Sequence, residues 1–224
     1  MYNLIDVAYL PDIKNSLIED ADLFELNKAY QFCIEKKARS FCTYLDLIGS
    51  IERVHKDYPI RLSPVIDFPH GYSCVESKLF DAGKAHEICR KAVASEIDVV
   101  LNPTEAGAMK DIQGFYDAGV NKRIPIKFII ELGNRDDNYF ESVMHAINNL
   151  PESCTYVKTN TGKAVPIPYI EKKQLVKRLT ANTDHKIKIS GGIEDWDMMK
   201  EYLDITGGCI FGVSYSKIRE WKDE

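Results

Sequence analysis

Residues 96–102, EIDVVLN, indicate what kind of sheet this chain builds. Ile97 to Leu101 form an almost continuous apolar run, interrupted only by Asp98. Runs of this kind suit strands that are buried on both faces, as in a parallel sheet. Phe128-Ile129-Ile130 repeats the pattern further along the chain. The two runs therefore favour a parallel sheet.

Strand and helix patterns alternate along the chain. The predicted strands are 3–7, 40–45, 61–68, 97–102, 126–132, 155–158, 187–190 and 209–213. Amphipathic helical patterns cover 73–94, 138–148, 170–179 and 195–203. About eight such βα units predict one (β/α)₈ TIM barrel, a single domain over residues 1–224. An open doubly wound sheet is the alternative, although no GxGxxG follows the first strand, which weakens its dinucleotide-binding form.

Composition narrows the class of protein. The 224 residues carry a net charge of −5 and no basic tract, which argues against nucleic acid as the main ligand. No apolar run reaches the length of a membrane span, and the N-terminus does not have the pattern of a signal peptide. The six cysteines are scattered, as expected for reduced thiols, and the five histidines form no metal-binding motif. We expect a cytoplasmic protein without a cofactor, and the sequence is compatible with a homodimer or higher homo-oligomer.

Two lysines stand at predicted strand ends. Lys158 ends the Tyr-Val-Lys run, and Lys188 lies in Ile-Lys-Ile-Ser, about one βα unit later. Active sites of barrels lie at the carboxyl ends of the strands, so inward-facing lysines on neighbouring strands would meet there. A nearby ammonium and partial burial both lower a lysine pKa, and the neutral amine is the nucleophilic form. The pair predicts a Schiff-base nucleophile beside its electrostatic activator.

These residues also have an ordinary interpretation. A lone strand-end lysine is more often a surface residue or an ion-pair partner, and we keep that interpretation for Lys127 and Lys186. Asp98 is flanked by apolar residues and therefore needs a charged or hydrogen-bonding partner. It is either an acid that handles protons and orients a lysine, or one half of a structural ion pair. Local sequence leaves both interpretations open.

Small residues after the late strands predict an anion site. The segments are Thr161-Gly162-Lys163, Ser190-Gly191-Gly192 and Gly212-Val213-Ser214. Glycines let backbone N–H groups approach an anion, and barrels often bind phosphate in the loops after their last strands. Further polar residues at strand ends that we expect around a substrate are Asp6, Cys42 and Thr159.

Taken in order, these segments resemble the deoxyribose-phosphate aldolases, which are metal-independent class I aldolases with a (β/α)₈ fold. The matching motifs are 68–71 (FPHG), 96–102, 126–131, 157–163 (VKTNTGK) and 188–193 (KISGGI). The resemblance implies reversible cleavage of 2-deoxy-D-ribose 5-phosphate to D-glyceraldehyde 3-phosphate and acetaldehyde. By position it implies that Lys158 carries the imine, that Lys188 lowers the pKa of Lys158, and that Asp98 serves the proton relay. It assigns the phosphate to Gly162, Lys163 and the segments 190–192 and 212–214.

The chain departs from the family pattern at three places. Val7 and Ala8 stand where the family has His and Thr, Tyr215 replaces a serine, and the charged tail 219–224 has no tyrosine. These departures concern substrate preference and rate, and they leave the imine chemistry intact. The alternatives are a related Schiff-base aldolase for a different aldehyde, and a phosphosugar-binding barrel without catalysis. An isomerase that uses Asp98 as its base is a further alternative.

Overall fold

The computed structural model describes residues 1–12, 20–52 and 59–222, and it contains a closed barrel of parallel strands in the order β1 to β8. The strands are β1 Ile5–Tyr9, β2 Ser40–Tyr44, β3 Arg61–Ile66, β4 Ile97–Val100, β5 Ile126–Ile129, β6 Thr155–Lys158, β7 Lys186–Ser190 and β8 Ile210–Ser214. The helices are α1 Asp20–Glu35, α2 Leu45–Glu52, α3 Val75–Cys89, α4 Glu105–Asp117, α5 Asp137–Asn148, α6 Tyr169–Ala181, α7 Trp196–Thr206 and α8 Tyr215–Ile218. A helix follows each strand, and β8 pairs with β1 to close the barrel. The (β/α)₈ fold is confirmed.

Side chains alternate across the barrel wall, and this explains the EIDVVLN pattern. Ile97 and Val99 belong to the apolar core, in which Phe115 of α4 meets Phe128 of β5 edge to face. Asp98 lies between the two apolar residues, and successive residues of a strand point to opposite faces. Its carboxylate therefore points into the barrel interior, away from the layer of helices. The strand is buried on both faces; its outer face is apolar, and its inner face carries Asp98 together with Val100.

Polar caps begin three of the helices that follow strands. Asp136 and Asp195 accept hydrogen bonds from the N–H groups of Tyr139 and Met198, both at 2.8 Å, at the starts of α5 and α7. Thr104 caps α4 in the same way. Caps satisfy N–H groups that would otherwise have no partner in the first helical turn. They also fix where the chain turns at the carboxyl end of the barrel.

The observed strand ends differ from the predicted ones by at most three residues. Strand β3 ends before its predicted end because Asp67 has a φ of 55°, and β5 is followed by Glu131 with a φ of 50°. Both values lie outside the extended region that a strand requires. The sequence patterns missed α1, α2, α4 and the short α8, and α2 begins at Leu45, which was predicted as strand.

The C-terminal tail is packed against the barrel as far as Lys222, and residues 223–224 lie outside the described part. The indole N–H of Trp196 donates to the Lys222 carbonyl at 2.9 Å, and the Trp196 and Trp221 ring centroids are 4.8 Å apart. Arg219 of the tail lines the cavity described below. Within the described ranges, no helix has the length and apolarity needed to cross a bilayer.

Candidate active site

A cavity of about 740 Å³ opens where the strands end and the loops to the helices begin. The predicted site residues that line it are Cys42, Lys158, Gly162, Lys163, Lys188, Ser190, Gly191, Gly192, Gly212 and Ser214. Asp6, Asp98 and Thr159 do not line the cavity, since all three are fully buried beneath it. The fold therefore brings together, around one space, residues that are up to 172 positions apart in the sequence.

Lys158 and Lys188 lie side by side on β6 and β7, where they are partners in the strand register. The Nζ atoms of both lysines donate to the same oxygen, Oδ2 of Asp98, at 2.7 and 2.8 Å. The two lysines are 4% and 1% exposed. A single carboxylate oxygen thus holds two amines next to each other in the cavity wall.

A chain of charged groups continues from Asp98 into the barrel interior. The Oδ1 atom of Asp98 accepts hydrogen bonds from Ser63 and Lys127, both at 2.9 Å. The Lys127 Nζ lies 2.6 Å from a Glu96 oxygen and 3.2 Å from an Asp6 oxygen. Breaking one member of such a buried network leaves an uncompensated charge, which typically costs about 3–5 kcal/mol. The network therefore fixes Asp98 and, through it, the two lysines.

The charges of this network stabilise one another. Burial favours a higher pKa for Asp98, but Lys127, Lys158 and Lys188 outweigh burial and hold the pKa well below its usual range. Burial favours a lower pKa for Lys188, but Asp6 and Asp98 outweigh it and raise the pKa. At neutral pH Asp98 is a carboxylate and Lys188 is an ammonium. Lys158 therefore stands beside a fixed positive charge.

Asp6 and Thr159 support the site from below. Oδ2 of Asp6 lies 2.7 Å from the Lys188 Nζ, and its Oδ1 accepts a hydrogen bond from Arg39 at 2.6 Å. The Thr159 hydroxyl accepts a hydrogen bond from the Ser190 N–H at 3.0 Å and lies 3.2 Å from the Ser190 carbonyl oxygen. The first residue holds a lysine in place, and the second ties the end of β7 to the end of β6.

Cys42 lines the cavity next to the charged network. Its Sγ atom lies 4.0 Å from Oδ2 of Asp98. Burial and the Asp98 charge raise the pKa of the thiol. Cys42 is therefore a neutral thiol at pH 7, and it contributes a small apolar wall beside the lysines.

The two predicted phosphate loops meet glycine to glycine. Gly162 and Gly191 both have a φ of 78°, and a Cβ on Gly191 would lie 3.1 Å from the Gly162 Cα. The backbone N–H groups of Gly191 and Gly192 have no hydrogen-bond partner among the residues that the structure describes. Unpaired N–H groups in such a turn form an anion-binding concavity. Gly212 makes room for a side chain, because a Cβ at this position would overlap the Ser190 hydroxyl.

Lys163 and Ser214 lie at the rim of the cavity. The Lys163 Nζ forms an exposed ion pair with Asp12 at 2.8 Å, and the Ser214 hydroxyl lies 3.3 Å from that of Ser216. Exposed ion pairs typically contribute about 0–1 kcal/mol to stability. Lys163 can therefore exchange Asp12 for a ligand anion with little loss of stability.

Sequence reasoning did not assign several charged residues to the site. These are Arg39, Glu96 and Lys127 in the charged network, and Lys172 in the cavity lining. One signal was available, because Glu96 and Asp98 are two residues apart and so share a face of their strand. Lys127 was treated as an ordinary lysine; it is an ion-pair partner, but it is fully buried. Within the described ranges, no cluster of three or more His, Cys, Asp or Glu side chains is arranged to hold a metal ion.

The fold and the site together define a class of protein, the (β/α)₈ barrels whose cavity is lined by buried, adjacent lysines. Comparison with known proteins narrows this class. The chain resembles deoxyribose-phosphate aldolases over most of its length. It is 28% identical over 185 residues to the deoxyribose-phosphate aldolase of Dictyoglomus turgidum, which covers 78% of this chain and 80% of the relative. It is 24% identical over 201 residues to that of Natranaerobius thermophilus, with 86% of each chain covered.

The structural comparison agrees on the fold. The deoxyribose phosphate aldolase from Aeropyrum pernix, whose structure is described as tetrameric, matches with a TM-score of 0.75 at 21% identity. The match covers 98% of this chain and 89% of the other. No protein-family model matches the chain.

Proposed function

We propose that this protein is a class I aldolase that reversibly cleaves 2-deoxy-D-ribose 5-phosphate to D-glyceraldehyde 3-phosphate and acetaldehyde, in the catabolism of deoxyribose phosphates. The observation that carries the proposal is the pair of buried lysines that share one Asp98 oxygen in a cavity of substrate size. The names of the sequence relatives give the substrate. Binding a phosphosugar would not by itself require two adjacent buried amines.

The reaction begins at Lys158. The Lys188 ammonium shares the Asp98 oxygen with Lys158, and the neutral form of the Lys158 amine is the nucleophile. The neutral amine attacks C1 of the open-chain aldehyde, and loss of water gives the imine. Asp98 orients both lysines and, with Lys188, passes the protons that these steps release and take up.

Cleavage uses the imine as an electron sink. The C3 hydroxyl loses its proton, the C2–C3 bond breaks, and its electron pair moves through C1 to the imine nitrogen. The products are glyceraldehyde 3-phosphate and an enamine on Lys158. Protonation of C2 and hydrolysis of the imine then release acetaldehyde and restore the amine. The step requires no metal or cofactor.

Phosphate binding is the second part of the proposal. The unpaired N–H groups of Gly191 and Gly192, the rim residues Lys163 and Ser214, and the space that Gly162 and Gly212 leave support a phosphate site on the β6–β8 side of the cavity. Cys42 lines the opposite side, next to the reacting carbon. Ala8 also lines the cavity and puts no polar side chain there, which favours a small apolar aldehyde such as acetaldehyde.

Domain organisation, cellular compartment and oligomeric state are the third part of the proposal. We infer a single-domain cytoplasmic enzyme that forms a homo-oligomer. The barrel spans residues 5–214, and the six cysteines are free, as is usual in a reducing compartment. The tetrameric relative supports oligomer formation.

Borohydride trapping tests the proposed chemistry. Acetaldehyde plus borohydride should attach one label irreversibly at Lys158, which peptide mass spectrometry locates. Lys158→Ala should abolish the label and lower turnover of deoxyribose 5-phosphate by at least about a thousandfold. Lys186→Ala is the matched control, because Lys186 is an exposed lysine on β7, and this variant should trap and turn over normally. A label elsewhere, or turnover by Lys158→Ala, would overturn the assignment.

A further inference from the structure

Lys172 is a buried lysine in the cavity wall that the proposed imine chemistry does not use. It is 5% exposed and is the fourth residue of α6. Its Nζ donates a hydrogen bond to the Ser190 carbonyl at 2.6 Å and another to the Gly191 carbonyl. Helical side chains tilt towards the N-terminus, so this one reaches back to the end of the barrel where the cavity opens.

The charge of Lys172 is not neutralised by an ion pair. Among the residues the structure describes, no carboxylate oxygen lies within 4.0 Å of its Nζ. Burial lowers the pKa of Lys172 to about 8, with Glu131 acting in the opposite direction. At pH 7 the ammonium form still exceeds the amine by about ten to one. The cavity wall therefore holds a cation that has no carboxylate in direct contact among the described residues, although Glu131 lies near enough to act on it.

The position makes this cation more unusual. The first turn of a helix carries partial positive charge, so a cation there is unfavourable and an anion is favourable. The nearby N–H groups of Gly191 and Gly192 are unpaired among the described residues and add to the positive potential. An ammonium has three donors, and two of those on Lys172 bond to carbonyl groups. One donor remains for a ligand.

We propose that Lys172 binds the phosphate group of the substrate and makes the cavity selective for phosphorylated aldehydes. Its two carbonyl contacts hold the Ser190–Gly191 backbone from behind, while its charge and third N–H face the anion. The inference rests on the proposed function for the identity of the substrate, but not for the presence of an anion site. Lys172 would thus supply a buried charge behind the backbone N–H groups and the exposed Lys163.

Calorimetric titration with inorganic phosphate tests the anion site without any assumption about aldolase activity. Lys172→Met removes charge and donor, and Lys172→Gln removes the charge but keeps an N–H donor. Both should bind phosphate about 10- to 100-fold more weakly than wild type, the range of a hydrogen bond to a charged group. Lys173→Met is the matched control, since Lys173 is the next residue of α6 and pairs with Glu201, away from the cavity. It should bind phosphate as wild type does.

The outcomes distinguish a role of the Lys172 charge in binding phosphate from a role of Lys172 in holding the loop in place. If Lys172→Gln binds phosphate as well as wild type, Lys172 is a brace for the loop and the proposal is overturned, whatever Lys172→Met does. Lys172→Gln also keeps the test decisive if Lys172→Met does not fold. Equal phosphate affinity in all variants would overturn the proposal as well.

Kinetics then test selectivity. With deoxyribose 5-phosphate, Lys172→Gln should raise KM about tenfold or more while kcat falls little. With unphosphorylated deoxyribose, kcat/KM should stay near wild type, and equal losses on both substrates would contradict a phosphate role. If wild type turns over neither sugar, the proposed function fails, and the phosphate titration still decides the role of Lys172.

Discussion

Two buried lysines occupy equivalent places on different sides of this barrel. Lys78 is the fourth residue of α3, and Lys172 is the fourth residue of α6. Each donates to two backbone carbonyls, Gly71 and Val100 in the first case and Ser190 and Gly191 in the second. They share a position in the helix, a depth of burial and a kind of contact.

Their counter-ions differ. The Lys78 Nζ lies 2.6 Å from Asp111 and 3.4 Å from Asp67, whereas Lys172 has no carboxylate within that range among the described residues. Lys78 also does not line the cavity, and Lys172 does. A lysine that is matched by acids inside the protein holds the fold together. A lysine that is left unmatched beside a cavity supplies charge for an anion from outside.

The largest expected effect is on turnover, and it distinguishes the acid that holds the cavity lysines, Asp98, from the acid beside Lys78, Asp111. Asp98→Asn takes away the oxygen that holds Lys158 and Lys188, and turnover should fall by about 10²- to 10⁴-fold. Asp111→Asn removes the acid beside Lys78, which lies outside the cavity, so turnover per folded molecule should stay close to wild type. Steady-state kinetics on both variants, with folded protein quantified by circular dichroism, make the comparison. Similar losses of turnover in the two variants would refute the claim that Asp98 serves the reaction while Asp111 serves only the fold.

Removing the lysines should give the next largest difference, in the free energy of unfolding. Lys78→Met leaves Asp111 buried without its cation, and breaking such a pair typically costs about 3–5 kcal/mol. Lys172→Met removes an unpaired buried charge, and this gain offsets the two lost carbonyl contacts, so stability should stay within about 1–2 kcal/mol of wild type. Urea unfolding measures both values. A loss in Lys172→Met as large as that in Lys78→Met would mean that Lys172 is also a structural residue.

The smallest expected effect is the loss of stability at low pH that comes from Glu96, in the charged network below the cavity. Burial favours a higher pKa for Glu96, but Lys127 and Arg39 outweigh it and lower the pKa from 4.5 to about 2. A carboxyl whose pKa is lowered by folding stabilises the native state above its unfolded pKa, and that stability is lost as the pH falls through the folded pKa. The contribution is on the order of 3 kcal/mol and should disappear between about pH 4.5 and pH 2.

Glu96→Gln isolates this contribution. The variant should start less stable at pH 7, and its unfolding free energy should fall less steeply with acid than that of wild type. Glu87→Gln is the control, because the contact of Glu87 with Arg90 is exposed to solvent. If the unfolding free energies of wild type and Glu96→Gln fell in parallel as the pH is lowered, the lowered pKa of Glu96 in the folded protein would be refuted.

Much of the site could be predicted from the sequence because the chemistry lies at strand ends. Lys158 and Lys188 are spaced by one βα unit, so placing their strands side by side was enough to bring them together. The acid that joins them, Asp98, stood out because it interrupts an apolar strand. The glycines of the loops marked places where a backbone approaches a ligand or another backbone, and Gly162 and Gly191 do meet in this way.

The sequence by itself determined that parallel strands alternate with helices and which residues the strand ends carry, and it favoured a barrel over an open sheet. These follow from periodicity and order along the chain, which are local properties. Only the tertiary structure decided which charges neutralise one another. Whether Lys127, Lys78 or Lys172 meets a carboxylate depends on atoms brought in from distant strands and helices. Because the interior has a low dielectric constant, the presence or absence of each ion pair then has a large effect on stability and on binding.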